Sequence, residues 1–167
     1  MGAKRKALVL FSGGLDSVLA AELLRRCGID VAGITFTTPF FGSGRAEKAA
    51  GELGIELLVE DITARHLEML KNPRYGYGKN LNPCIDCHGL MVMEALDRLE
   101  DAGADFVATG EVLGERPKSQ NRQALELVAN LSGADELLVR PLSAQLLPET
   151  LPEREGWVKR DCLLDLS

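Results

Sequence analysis

The chain has 167 residues, a net charge of −6, 46% hydrophobic residues and only 5% aromatic ones, which fits one domain with a mainly aliphatic core. No apolar run approaches the ~20 residues that cross a bilayer, and residues 7–11, behind the basic start Met1-Gly2-Ala3-Lys4-Arg5-Lys6, are too short for a signal-peptide core, so a soluble cytoplasmic protein is expected. The acidic balance argues against a broad nucleic-acid-binding face, because phosphate contacts draw on clustered Lys and Arg; it leaves two local clusters, Lys71, Arg74 and Lys79, then Arg116, Lys118 and Arg122.

Residues 7–11 form a short apolar run, read as a buried strand. Residues 16–27 follow with helical spacing, Leu15, Leu19, Leu23 and Leu24 forming the expected apolar face, and Gly28 closing the helix. Residues 31–36 read as a second strand, 45–53 as a helix ended by Gly54, 55–59 as a third strand and 64–70 as a helix. From 72 to 83 the pattern stops in Asn, Pro, Gly and Tyr. Helical spacing resumes at Leu90, Met93, Leu96 and Leu99 and ends at Gly103. A strand at 106–108, a helix at 123–131 and a strand at 137–139 follow. The tail, with Pro148, Pro152, Gly156 and Trp157, reads as irregular. Strands alternating with helices predict an α/β fold, a mainly parallel twisted sheet with helices on both faces. Residues 1–145 are expected to form the domain and 146–167 a tail packed on it. Ligands of such sheets sit at the carboxyl ends of the strands.

Ser12-Gly13-Gly14-Leu15-Asp16-Ser17 lies at such a place, between the first strand and the first helix. Two glycines let the backbone turn sharply and approach an anion closely. The helix start offers unpaired N–H groups and a partial positive charge. Ser12 and Ser17 add hydroxyls. Asp16 repels phosphate unless a cation intervenes, which points to Mg²⁺. The loop at 111–121 follows Thr109-Gly110 and is expected to overhang the same place. Its Arg116 and Lys118, like Arg140 after the last strand, are read either as phosphate ligands or as solvated charges.

Asn82-Pro83-Cys84-Ile85-Asp86-Cys87-His88 is the second informative segment. Thiolates at C-x-x-C spacing can share a metal, and a helix start favours the thiolate. A structural zinc site with His88 and Cys162 is one reading. Cys162 is otherwise an interior thiol. Cys27 ends an amphipathic helix and is read as core, and His66 as a surface helix residue.

Ser-Gly-Gly-Leu-Asp-Ser resembles the signature of the PP-loop ATP pyrophosphatases, which split ATP into AMP and pyrophosphate. The N-P-C-x-x-C segment and Ala108-Thr109-Gly110 resemble the 2-thiouridine and 4-thiouridine synthase branches of that family, and the resemblance runs from Leu8 to about Leu142. It implies an adenine-nucleotide α-hydrolase-like fold. It places ATP pyrophosphate and Mg²⁺ at Ser12, Gly13, Gly14, Leu15, Asp16 and Ser17, adenine at Ile34, Thr35 and Phe36, and the α-phosphate at Thr109 and Gly110. It implies that a nucleobase carbonyl, a tRNA uridine for example, is adenylated and its oxygen replaced by sulfur. The sulfur travels either on a [4Fe-4S] cluster held by Cys84, Cys87 and Cys162 or on a cysteine persulfide. Asp16, Cys84, Cys87 and Cys162 are then the catalytic candidates, with Lys79, Arg116, Lys118 and Arg122 toward RNA. Implied partners are tRNA or another uracil-containing substrate, a sulfide or persulfide donor, and a second copy or an RNA-binding subunit, since no further RNA-binding domain is visible. A PP-loop amidating ligase acting on a small molecule, and a non-catalytic nucleotide- or cluster-binding subunit, are the alternatives.

Overall fold

Apolar runs separated by amphipathic helices leave the chain one economical solution, a sheet buried between helical layers. The computed structural model has that architecture. It describes residues 4–74, 84–116, 120–132 and 136–167, with Cys84 and Leu131 by backbone only. The strands are β1 (Lys6–Leu10), β2 (Asp30–Thr37), β3 (Glu56–Asp61), β4 (Phe106–Ala108) and β5 (Leu138–Val139). They form one five-stranded sheet in the order β3-β2-β1-β4-β5, and every neighbouring pair is parallel. The chain therefore runs outward from β1 to β3, returns across the sheet, and continues on the other side of β1 at β4. That reversal opens a crevice at the carboxyl ends of β1 and β4, where such sheets hold ligands.

Side chains alternate across the sheet with a period of two. On one face Leu8, Ile34, Phe36 and Val107 pack against Leu90, Val92 and Ala95 of α4 (Cys84–Asp97) and Val128 of α6 (Arg122–Ser132). On the other face Ala7, Val9, Phe106 and Ala108 pack against Leu24 of α1 (Leu15–Arg26) and against Val158 and Leu163 of the tail. Phe11 joins α1 to α2 (Gly44–Leu53) through Ala21, Ala46 and Ala50. The short central strand β1 is thus covered on both sides, as its near-continuous apolar run requires. Beyond β3 lies α3 (Thr63–Lys71), and α5 (Leu99–Ala102) precedes β4. No helix among the described residues is long and apolar enough to cross a membrane.

Three sequence readings change here. The apolar face of α1 holds only the second half of the leucine row, Leu23 and Leu24. Leu15 is 70% and Leu19 43% exposed, while Ser17, Ala20, Ala21 and Leu24 are buried. The first turns of the helix lie so close to the strand ends that small residues fill the contact there and Leu15 and Leu19 point outward, while Leu24 is buried. His66 is a buried residue of α3, 6% exposed, between the rings of Phe40 and Phe41 at 5.8 and 5.7 Å. Burial holds its pKa below the ordinary imidazole value. Cys27 is no isolated core thiol, because its sulfur bonds to that of Cys162 with the Cα atoms 6.0 Å apart.

The tail is also more ordered than its prolines suggest. It contains α7 (Leu151–Arg154), where Glu153 accepts hydrogen bonds from the Thr150 backbone N–H (3.1 Å) and hydroxyl (2.8 Å), as in a capping box. Leu164 and Leu166 donate backbone N–H groups to Pro141 and Leu142, each at 2.9 Å.

The packing of α1 yields a direct test. Leu24→Ala should cost about 2–5 kcal/mol, the range for truncating a buried leucine, whereas Leu15→Ala and Leu19→Ala should each stay within about 0.5 kcal/mol. Urea denaturation of the three variants checks the assignment; equal losses would restore the leucine row to the core.

Candidate functional site

The loop between β1 and α1 is held by its own side chains. Gly14 N–H donates to Ser12 Oγ at 3.2 Å, and the Ser17 hydroxyl donates to the Gly14 carbonyl at 3.0 Å. No side chain caps α1. Its first-turn N–H groups therefore lack the usual local acceptor, which is the condition for binding an anion at a helix start. Gly13 has φ +82°, and a Cβ there would lie 2.5 Å from the Arg45 carbonyl oxygen at the start of α2. A Cβ on Gly110 would lie 2.6 Å from Asp16 C and O and 2.7 Å from Ser17 N. Both positions admit only glycine, because backbone meets backbone there.

The strand ends complete the enclosure. Phe11 N–H donates to Ile34 O at 2.8 Å, and the β1–β2 register stops at Leu10 and Ile34. Two residues further, by strand alternation, Phe36 presents the same backbone edge of β2 beyond the end of β1. Leu10, Phe11, Ser12, Asp16, Ser17, Ile34, Thr35 and Phe36 line one cavity of about 480 Å³ together with Thr109 and Gly110 from the end of β4. Of the expected loop residues, Ser12, Asp16 and Ser17 line the cavity with both strand ends; Gly13, Gly14 and Leu15 do not, and the Leu15 side chain faces outward. The 111–121 loop closes on itself through Gly114 N–H to Gln120 O (2.8 Å) and Gln120 N–H to Arg116 O (2.7 Å), and Arg116 and Gln120 reach the same cavity.

Glu111 is the residue that motif reading missed. It follows Thr109-Gly110 directly and is 5% exposed. The Thr109 hydroxyl donates to its Oε1 at 2.9 Å, and Arg140 Nε lies 3.3 Å from the same oxygen. His88 Nδ1 stands 3.7 Å from Oε2, beyond a good hydrogen bond, so Oε2 has no donor at bonding distance among the described residues. Burial alone would raise the Glu111 pKa. The adjacent His88 imidazole, the Arg140 guanidinium and the Thr109 hydroxyl outweigh it and hold the carboxylate at about 2. Arg140 Nη2 also donates to Leu125 O at 2.8 Å. This arginine, read from sequence as a phosphate ligand or a solvated charge, is neither: its side chain is 9% exposed and is spent on the Glu111 pair.

The remaining candidates divide. His88 and Met91 of α4 line the cavity, which places the first turns of the C-x-x-C helix at its wall. Cys87 is half-buried in that first turn, and Cys84 is the first helical residue. Cys162 is a correction to the expected ligand set. It is bonded to Cys27, just beyond the last residue of α1, while the phosphate loop precedes its first. Twelve helical residues at ~1.5 Å each separate the two ends by about 18 Å. A cluster on Cys84, Cys87 and Cys162 therefore does not fit this fold. Among the described residues no three His, Cys, Asp or Glu side chains are grouped to hold a metal. Arg122 lines a different cavity, of about 360 Å³, between α6 and the tail. Lys79 and Lys118 lie outside the described residues.

Comparison with known proteins agrees with this geometry. The family model described as tRNA methyl transferase HUP domain matches residues 5–133. The tRNA-specific 2-thiouridylase MnmA of Syntrophotalea carbinolica is 38% identical over 117 residues, covering 62% of this chain and 33% of the relative. That of Methylobacterium nodulans is 32% identical over 138 residues, covering 72% and 36%. The chain thus spans about a third of the length of the curated relatives it matches. Among solved structures, a 4-thiouridine synthetase in complex with RNA and bound ATP superimposes with a TM-score of 0.65 at 25% identity, over 82% of this chain and 36% of that one.

The Glu111 carboxylate offers a test that needs no ligand. Its pKa is depressed from the ordinary 4.5 to about 2, so its charge contributes stability that is fully present above 4.5 and is lost as pH falls toward 2. Glu111→Gln should remove about 3–5 kcal/mol at neutral pH by leaving Arg140 buried without its counter-ion. It should also flatten the pH dependence of stability between pH 5 and 2. An unchanged acid limb in denaturation curves would show that another group carries it.

Proposed function

Because the chain belongs to the tRNA methyl transferase HUP domain family, of the PP-loop adenine-nucleotide α-hydrolase type, we propose that it uses ATP to activate a uridine carbonyl of tRNA and replaces that oxygen with sulfur. The observation that carries the reading is the shared cavity. One wall is the phosphate loop with Ser12, Asp16 and Ser17, and another is the helix that opens with Cys84 and Cys87 and enters through His88. A site that only split ATP would have no use for a cysteine pair in the helical turn that leads to His88 at its wall, and a thiol site alone would have no use for the loop. The 2-thiouridylase relatives and the ATP-bound 4-thiouridine synthetase structure support the same substrate class.

In this reading adenine lies along the backbone of Ile34, Thr35 and Phe36, and the phosphates lie on the start of α1. Mg²⁺, when bound, neutralises phosphate charge. Its preference for hard oxygens and for only one or two carboxylates fits Asp16, in the first turn of α1, and Glu115, whose carboxyl pKa is raised by its hydrogen bond with Asp16. The carbonyl oxygen attacks the α-phosphorus. The bond from that phosphorus to the bridging oxygen breaks, and pyrophosphate leaves with the electron pair. The loop N–H groups and hydroxyls stabilise the charge that develops. A persulfide on one cysteine of the pair then attacks the activated carbon, and AMP departs. The second cysteine attacks the first cysteine's sulfur, which releases the thiocarbonyl and leaves a Cys84–Cys87 disulfide. A dithiol reductant resets the pair.

Incubation with unmodified tRNA, ATP and a persulfide donor, followed by nucleoside mass spectrometry and nucleotide analysis, should show thiouridine with AMP and pyrophosphate. Cys87→Ala should retain ATP binding and lose thiolation. Asp16→Ala should lower AMP formation by about 100-fold or more. ADP and phosphate as the only products would overturn the adenylation. AMP formation with unchanged thiolation in Cys87→Ala would remove the cysteine pair from the chemistry.

A further inference from the structure

We propose that Arg45 grips the β- and γ-phosphates of ATP and holds pyrophosphate as it leaves. The inference rests on the ATP-site reading above and adds to it a ligand that lies outside the loop signature. Arg45 is the second residue of α2, and its backbone is pressed against the phosphate loop, its carbonyl oxygen 2.5 Å from where a Gly13 Cβ would sit. Its side chain turns back over the loop. Nη2 lies 3.8 Å from the place of a Gly14 Cβ, and the residue lines the same cavity as Ser12, Asp16 and Ser17. Among the described residues Arg45 has no ion pair and no side-chain hydrogen bond. By contrast Arg140, which enters near the same strand ends, is neutralised by Glu111. A guanidinium fixed at its backbone, aimed across an uncapped helix start and free of any carboxylate, presents its planar donor fork to phosphate oxygens.

The chemistry gives that position a role. As the carbonyl oxygen bonds to the α-phosphorus, the bond to the bridging oxygen breaks and negative charge accumulates on pyrophosphate. Arg45 touches that group and not the adenylate, so it should discriminate triphosphate from monophosphate. Gly13 makes the approach possible, since a Cβ there would meet the Arg45 carbonyl oxygen at 2.5 Å and push the start of α2 off the loop.

The test is equilibrium binding of Mg-ATP, AMP and inorganic pyrophosphate, each titrated by calorimetry into the purified chain and into Arg45→Ala and Arg45→Lys. Arg45 is exposed, and circular dichroism will confirm that the variants fold. Arg45→Ala should weaken pyrophosphate and ATP by roughly 10- to 100-fold, the span of a hydrogen bond to a charged group, and leave AMP within about twofold. Arg45→Lys should recover part of the loss. Unchanged pyrophosphate affinity in Arg45→Ala, or an equal loss for AMP, would overturn the inference while leaving the ATP site standing. Wild-type protein that binds neither ATP nor AMP would overturn the site reading itself, and this inference with it.

Discussion

Everything at the carboxyl edge depends on one steric condition: three chain segments meet there through backbone alone. Gly110, after β4, abuts the carbonyl of Asp16 and the amide of Ser17, and Gly13 abuts the carbonyl of Arg45, in contacts of 2.5–2.7 Å from a hypothetical Cβ. Side chains at these two points would force α1 away from β4 on one side and from α2 on the other. Without them the start of α1 is seated between the strand ends. Its unpaired donors are aimed into the cavity at fixed positions and need not be ordered when an anion arrives. The same closeness explains why α1 buries Ser17, Ala20 and Ala21 near its start and a leucine, Leu24, only at its far end.

A second condition is electrostatic and lies deeper. A buried carboxylate is costly unless it is paired, and Glu111 is paired by groups from β5 and α4 as well as by its own strand end. Arg140 in turn ties α6 through Leu125 O. The cluster therefore fastens four elements around the base of the cavity, and it decides which cations remain available to a ligand. Arg140 is consumed. Arg45 and Arg116 are not ion-paired among the described residues. His88 stands at the cavity wall with its Nδ1 3.7 Å from the Glu111 carboxylate.

The sequence made the architecture legible wherever local pattern and tertiary need coincide. Strand–loop–helix order, the double glycine of the loop and Thr109-Gly110 at a strand end all state their role within a few residues. What stayed hidden was long-range. Nothing near Glu111 announces Arg140, 29 residues away. Arg45 looks like any helix-start cation until the fold lays α2 against the loop. Helical periodicity placed Leu24 correctly but also selected the exposed Leu15 and Leu19, because it counts apolarity and not available space. Cys162 was drawn to the C-x-x-C pair because pairing by chemical type ignores that α1 separates the two ends of the sheet, and Cys27, dismissed as core, stood where Cys162 could reach it. His66 carries no motif, and its burial is created by Phe40 and Phe41 from another loop.

The charge of the chain and the charge of its site are then separate quantities. A net −6 would disfavour a phosphate ligand if the field in the cavity followed composition. It does not, because surface carboxylates more than about 8 Å away are largely screened at physiological salt. The cavity feels chiefly what lines it: an uncapped helix start, the Arg45 and Arg116 guanidinia, and the Asp16 carboxylate. Of the carboxylates there, Glu111 is paired with Arg140, which leaves Asp16 facing a phosphate without a counter-ion among the described residues. In the proposed reading Asp16 would become a ligand when a divalent cation accompanies the nucleotide, and the site would then favour the metal–nucleotide complex over either component alone. Acidity elsewhere on the surface disfavours non-specific polyanion binding, so a phosphate ligand has to be attracted by the groups that line the cavity.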